Sequence, residues 1–109
     1  MKILHLFFSF KIGGAELMLR DIMNIQILNN EVSLLIINDE MDQTLVDSLD
    51  PKIRLYRLGR KKGSKNPIPL FKLNWIINTM DTDVIHCHVL SIAKYLITGK
   101  TLFATKHNL

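Results

Sequence analysis

Three groups of residues in this chain have types and spacings that could do chemistry. The first is Gly13-Gly14 with Glu16, inside the stretch LFFSFKIGGAELMLRDI. Two adjacent glycines permit positive φ and leave no Cβ between the backbone and an approaching group. Where a helix starts at such a point, its free amides and macrodipole favour an anion, typically a phosphate. A tight strand-to-helix turn without ligand uses glycine in the same way, so both readings stand at this stage. Glu16 falls in the first helical turn and complements the dipole. G-x-G-x-x-G and G-K-[ST] are both absent, which disfavours nicotinamide, flavin and P-loop sites.

The second group is DVIHCH, Asp83 to His88, with His107 further on in TKHNL. On an extended segment His86 and His88 share one face and Cys87 points to the other. The thiol therefore does not converge with the imidazoles on a zinc ion. Two histidines are a thin ligand set, so no metal and no cofactor are expected. Cys87 has no activating neighbour on its own face and reads as a small buried hydrophobe. His5 lies within an apolar run and reads as a satisfied core residue. His88 and His107 fall near the carboxyl ends of strands, where an imidazole can donate to hydroxyls or phosphates. A histidine satisfied by loop backbone is the alternative for either.

The third group is a basic stripe. The net charge is +4, but residues 1–50 hold three cations and eight acids, while residues 51–80 hold eight cations and no acid. Arg57, Arg60, Lys61, Lys62 and Lys65 form its dense part. Such a stripe attracts phosphates, nucleic acid or an anionic membrane, or is a solvated loop. Nucleic acid is disfavoured because Tyr56 is the stripe's one aromatic platform. Phe71 and Trp75 fall at helical spacing and read as core.

The elements that must position these groups follow from periodicity. Residues 2–8 (KILHLFF) and 32–38 (VSLLIIN) are apolar runs of strand length. Residues 15–28 carry Ala15, Met18, Ile22, Ile25 and Leu28 at helical spacing, and Asn29-Asn30 supplies a stop in the left-handed conformation. A short helix over 42–49 and a brief strand over 53–56 precede the basic loop. Pro69 suits the first turn of a helix over 69–80. A strand over 83–87, a weak helix over 90–97 and a strand over 101–106 complete the chain.

This alternation predicts an α/β fold, a Rossmann-like parallel sheet of order 3-2-1-4-5 with helices on both faces. Ligands of such sheets bind at the carboxyl ends of the strands, here beside the switch between strands one and four. The chain's 109 residues make one domain. No apolar run approaches the roughly 20 residues of a membrane-spanning helix. The start has no small-residue cleavage site and runs into Lys11 and the Gly-Gly turn, so it reads as a strand rather than a secretory leader. The single cysteine fits a reducing cytoplasm.

Taken in order, KILHLFFSFKIGGAELMLRDI, NNEVSLLIIND, DVIHCHVL and LFATKHNL resemble the N-terminal domain of GT-B glycosyltransferases. The likeness is to the large retaining family that includes glycogen and sucrose synthases, and it extends along the whole chain. Its usual pattern is a strand, G-G-x-E, a helix, Gly-His-x-Val, a second strand, D-x-[IV]-H-x-H, and a strand ending in T-x-H. The resemblance implies that Gly13 and Gly14 lie against the diphosphate of a nucleotide-sugar donor. It implies that His107 lies near the transferred sugar, and that His88, with Glu16, faces the substrate cleft. It further implies a glycan or lipid-linked acceptor, in cell-surface polysaccharide or lipopolysaccharide synthesis. The stripe of Arg57, Arg60, Lys61, Lys62 and Lys65 would then dock an anionic membrane face or a phosphorylated acceptor. The enzyme would be cytoplasmic, or peripheral at the inner face of the membrane.

Asn29-Asn30-Glu31 replaces the usual Gly-His entry to strand two, and Val89-Leu90 follows His88 where polar residues are common. The family's second domain, with its E-x7-E carboxylates, has no counterpart within these residues. The chain is therefore read as a fragment of a hexosyltransferase, inactive alone because transfer needs donors on both walls of a closed cleft. Its fifth strand would form an open edge able to dimerise. A stand-alone phosphate- or nucleotide-binding module is the alternative. A flavodoxin-like receiver is weaker, since no acidic cluster ends strand one.

Overall fold

The computed structural model describes residues 1–11, 13–61 and 65–105. His107 and Lys62 lie outside the described residues. The order is β1 (Lys2–Phe7), α1 (Gly14–Gln26), β2 (Glu31–Asn38), α2 (Gln43–Asp47), β3 (Arg54–Arg60), α3 (Ile68–Thr79), β4 (Val84–Cys87), α4 (Leu90–Ala93) and β5 (Thr101–Ala104). The five strands form one all-parallel sheet in the order β3-β2-β1-β4-β5, as the sequence predicts. No helix among the described residues is long and apolar enough to cross a membrane.

Strand alternation sends side chains to two separate cores. On one face Leu4 and Leu6 of β1, Leu35 and Ile37 of β2, and Ile85 and Cys87 of β4 pack with Leu73 and Ile77 of α3. On the other, Leu34 and Ile36 of β2 pack with Leu19 and Met23 of α1 and Leu45 of α2. Each buried Leu or Ile contributes roughly 1.5–3 kcal/mol relative to exposure, so the central strands are held from both sides. Asparagines fasten the connections. Asn24 donates to the Ser48 carbonyl and accepts from the Asp50 amide, tying α1 to the exit of α2. Asn74 and Asn78 of α3 bond the backbone of Tyr95 and Ile97, which fixes the path from α4 to β5.

Several local expectations need correction. The buried face of α1 is Ala15, Leu19 and Met23, while Met18, Ile22, Ile25 and Leu28 are exposed. The helix carries two neighbouring apolar stripes, and the sheet takes the one that also holds Gln26. Asn30 does not turn left-handed, since no non-glycine residue among those described has positive φ. Its side chain instead donates to the Gln26 carbonyl and caps the helix end.

β3 runs four residues past its expected end, so Arg57 and Arg60 belong to a strand rather than to the basic loop. Ile36 pairs with Arg57 but Asn38 pairs with Arg60, so β3 holds one extra residue there. Gly59, at φ 75°, absorbs that bulge in a conformation other residues rarely adopt. Phe71 and Trp75 are not core. They stand 72% and 67% exposed on the outer side of α3.

Candidate functional site

β1 and β4 lie side by side with His5 opposite His86. Odd residues of β1 and even residues of β4 therefore share the face covered by α1. His5 is 1% exposed, and His88, just beyond β4, is 8% exposed. The His86 and His88 rings stack at 3.9 Å between centroids, tilted by 25°. His5 Nδ1 lies 3.0 Å from His88 Nε2, and His5 Nε2 lies 2.8 Å from the Gln26 side-chain oxygen. His86 Nε2 also bonds the Thr105 hydroxyl.

The proton positions follow from what each partner can do. The amide oxygen of Gln26 only accepts, so His5 carries its proton on Nε2 and presents a lone pair at Nδ1. That lone pair accepts from His88 Nε2–H. Gln26 thus writes the tautomer of His5, and His5 that of His88. The sequence reading of His5 as a satisfied core residue holds, as does the shared face of His86 and His88. Cys87 faces the opposite core, where burial pushes its thiol up and the Val89 carbonyl accepts from it. The three imidazoles together offer nitrogens all within 4.8 Å of one another, and form the one group of three or more metal-capable side chains among the described residues. Sequence reasoning missed it by treating His5 and the H-x-H pair separately. A histidine central in strand one and a glutamine ending the first helix were the available signals.

The glycine pair stands at the other end of α1. The chain leaves β1, bonds the segment after β2 through Phe10 and Glu40, and buries Phe10 before reaching Gly13. Gly13 is the N-cap, at φ −167° and ψ 167°, so its conformation does not require glycine. Space does. A Cβ there would lie 3.1 Å from an oxygen of Glu16, whose carboxylate folds back over the glycine. An acid at the third helical position facing the cap suits the helix dipole, as expected. Lys11, alongside, pairs with Glu40.

The basic residues divide. Arg60 donates to the Asn38 side chain at 3.0 Å. Arg57, Lys61 and Lys65 are exposed. A cleft of about 390 Å³ opens at the carboxyl ends of β2 and β3, where Arg60, Lys65 and Asn66 meet Leu58, Ile92 and Tyr95. A larger one, about 580 Å³, lies at the amino ends of the strands near Lys2, Lys52, Arg54 and Trp75. Parallel α/β sheets place ligands at carboxyl ends, which favours the smaller cleft.

Comparisons with protein-family models, with curated proteins and with solved structures return no match to this chain.

Burial holds His5 neutral by lowering its pKa from 6.5 to about 4; the Gln26 bond opposes this and nearby His86 adds to it. The unfolded chain protonates His5 below pH 6.5 and the folded chain only below about 4, so stability is lost as pH drops from 6.5 to about 4. The loss should be about 3 kcal/mol and level off below pH 4. Denaturant unfolding at stepped pH, in chelator-treated buffer, should show this slope in the native chain and a flattened one in His5→Phe. Equal slopes in both would rule out His5 as its source.

Proposed function

We propose that this chain is the N-terminal, acceptor-side part of a GT-B glycosyltransferase that moves a hexosyl group from a nucleotide-sugar to a glycan or lipid-linked acceptor. One observation carries the reading. G-G-x-E opens α1, the helix that follows β1, and D-x-I-H-x-H runs along β4 beside that strand, at the switch point of a 3-2-1-4-5 sheet. These are two of the motifs of the resemblance, together with its topology, in one place. In this reading the first amides of α1 receive the donor diphosphate at Gly13 and Gly14, and His107 and His88 serve the sugar side of the cleft. Retention of configuration is part of the same resemblance.

The position of Glu16 adds a physical consequence. Its carboxylate already faces the end of α1 where the diphosphate would sit, and like charges repel. Diphosphate binding by this chain is therefore weak until a second wall supplies cations. Titration of the ¹⁵N-labelled chain with uridine and guanosine diphosphates should shift the amides of Gly13, Gly14 and Ala15, with a Kd of about 1 mM, near −4 kcal/mol. Glu16→Gln should tighten it several-fold. Absent shifts at those amides would sink the donor-site reading, and a micromolar Kd would favour the stand-alone nucleotide-binding module.

The outer side of α3 supports the acceptor half of the proposal. Ile68, Phe71 and Trp75 recur at i, i+3 and i+7, all exposed, with Lys72 among them and Lys61 and Lys65 leading into the helix. Exposed aromatics on a helix flanked by cations suit the interface of an anionic membrane, where each cation near the surface adds about 1 kcal/mol. Phosphatidylglycerol vesicles should retain the chain in a salt-sensitive way and phosphatidylcholine vesicles should not. Phe71→Ser with Trp75→Ser should release it. Equal retention of that double variant would refute docking through α3.

A further inference from the structure

We propose that His5, His86 and His88 form a binding site for a borderline divalent transition ion of the zinc class. The proposal stands on the geometry of the cluster rather than on the transferase reading, with which it shares His88. Two adjacent strands supply the ligands. His86 and His88 are two residues apart on one face, and His5 is the cross-strand neighbour of His86. Strand pairing fixes the origins of His5 and His86, and the His88 amide, just beyond β4, is held by the Leu6 carbonyl, so all three are set before any ion arrives.

The spacing suits a small ion. Zinc–nitrogen bonds of about 2.0–2.1 Å put tetrahedral ligands roughly 3.4 Å apart. The His5 and His88 nitrogens are already at 3.0 Å, and no two of the three ligand atoms are more than 4.8 Å apart, so ligation requires the stacked His86 and His88 rings to rotate toward a common point. The donor set also selects the ion. Three imidazoles without a carboxylate suit zinc, cobalt, nickel or copper and exclude calcium and magnesium, which demand oxygen ligands.

An outer partner is in place as well. A ligating histidine ordinarily gives its second ring N–H to a carbonyl or carboxylate, which aims the free nitrogen at the metal. Gln26 takes the Nε2–H of His5 in this way and turns Nδ1 toward the other two rings. Without an ion, that lone pair accepts the Nε2 proton of His88. Ion binding replaces this one hydrogen bond with two metal–nitrogen bonds. His88 ligates through Nε2 once the proton on that nitrogen has left it, and His5 ligates through the Nδ1 lone pair that its Gln26 bond leaves open.

There is also a route in. Among the described residues, α1 and α2 pack chiefly over β2 on this face, and Phe103, beside His86 on β5, is exposed. His86 is itself half-buried on that side. Three protein ligands with one side toward solvent leave a fourth position for water or an exogenous donor, as in open rather than purely structural zinc sites.

The test uses the full 109-residue chain stripped with chelator. Calorimetric titration with Zn²⁺ should give one site per chain in the micromolar range or tighter. Co²⁺ should develop the intense visible absorption of a tetrahedral nitrogen site. Adding Zn²⁺ should raise Tm increasingly with concentration, because the ion binds the folded chain preferentially. His86→Ala, at the open side, should weaken Zn²⁺ at least about 100-fold, and Gln26→Leu about 10-fold through the outer partner. Circular dichroism checks that each variant folds. Should His86→Ala not fold, the imidazole ¹⁵N shifts of the native chain decide, since His5, His86 and His88 must all move with Zn²⁺. A Co²⁺ spectrum unchanged from the aqueous ion, or Zn²⁺ affinity unaltered in folded His86→Ala, would overturn the site.

Discussion

The parallel pairing of β1 with β4 is the constraint on which the rest depends. β1 is the central strand, and through it the chain turns from building toward β3 to building toward β5. The pairing sets His5 against His86 and so places two polar rings side by side between the apolar residues of the central strands. A buried imidazole left without partners would cost about 1–3 kcal/mol. The chain meets that demand with Gln26 on one nitrogen and His88 on the other. The bond to Gln26 then helps to decide which stripe of α1 faces the sheet.

That last step explains what was legible in the sequence and what was not. Strand order followed from element alternation and crossover handedness, which involve the backbone alone. The opposite facing of Cys87 to His86 and His88 followed from the period of two. The buried face of α1 did not, because a count of apolar residues passes over Gln26. Ile25 looks like a core residue and is 68% exposed, whereas the polar Gln26 is the residue that reaches the sheet. A polar residue that fixes a helix rotation leaves no trace in a hydrophobic pattern. The three-histidine cluster was missed for a related reason. Its members are far apart in sequence, and only the β1–β4 register brings them together. β3 was underestimated because Gly59 looks like a loop residue, while a bulge uses it to continue the strand.

The outward surfaces are as informative as the core. α1 turns Met18, Ile22 and Ile25 outward, α3 turns Ile68, Phe71 and Trp75 outward, and Phe103 stands exposed on β5. Scattered apolar exposure is ordinary, but a stripe at i, i+3 and i+7 beside a run of cations is a surface with a direction. It lies on the α3 side of the sheet, while the histidines and the glycine pair lie with α1. A bound membrane at α3 would thus leave the α1 face and the carboxyl ends of the central strands free. In the proposed transferase this separation would let α3 dock while the α1 face stays open to the donor.

The central claim is that one buried, neutral histidine links β1, β4 and α1. The most direct measurement is the ¹⁵N shifts of the imidazoles in the chelator-treated chain at pH 7, with a search for coupling across the His5–His88 bond. The account predicts a neutral His5 with its proton on Nε2 and an unprotonated Nδ1 coupled to the Nε2–H of His88. A protonated His5, or one carrying its proton on Nδ1, would contradict it.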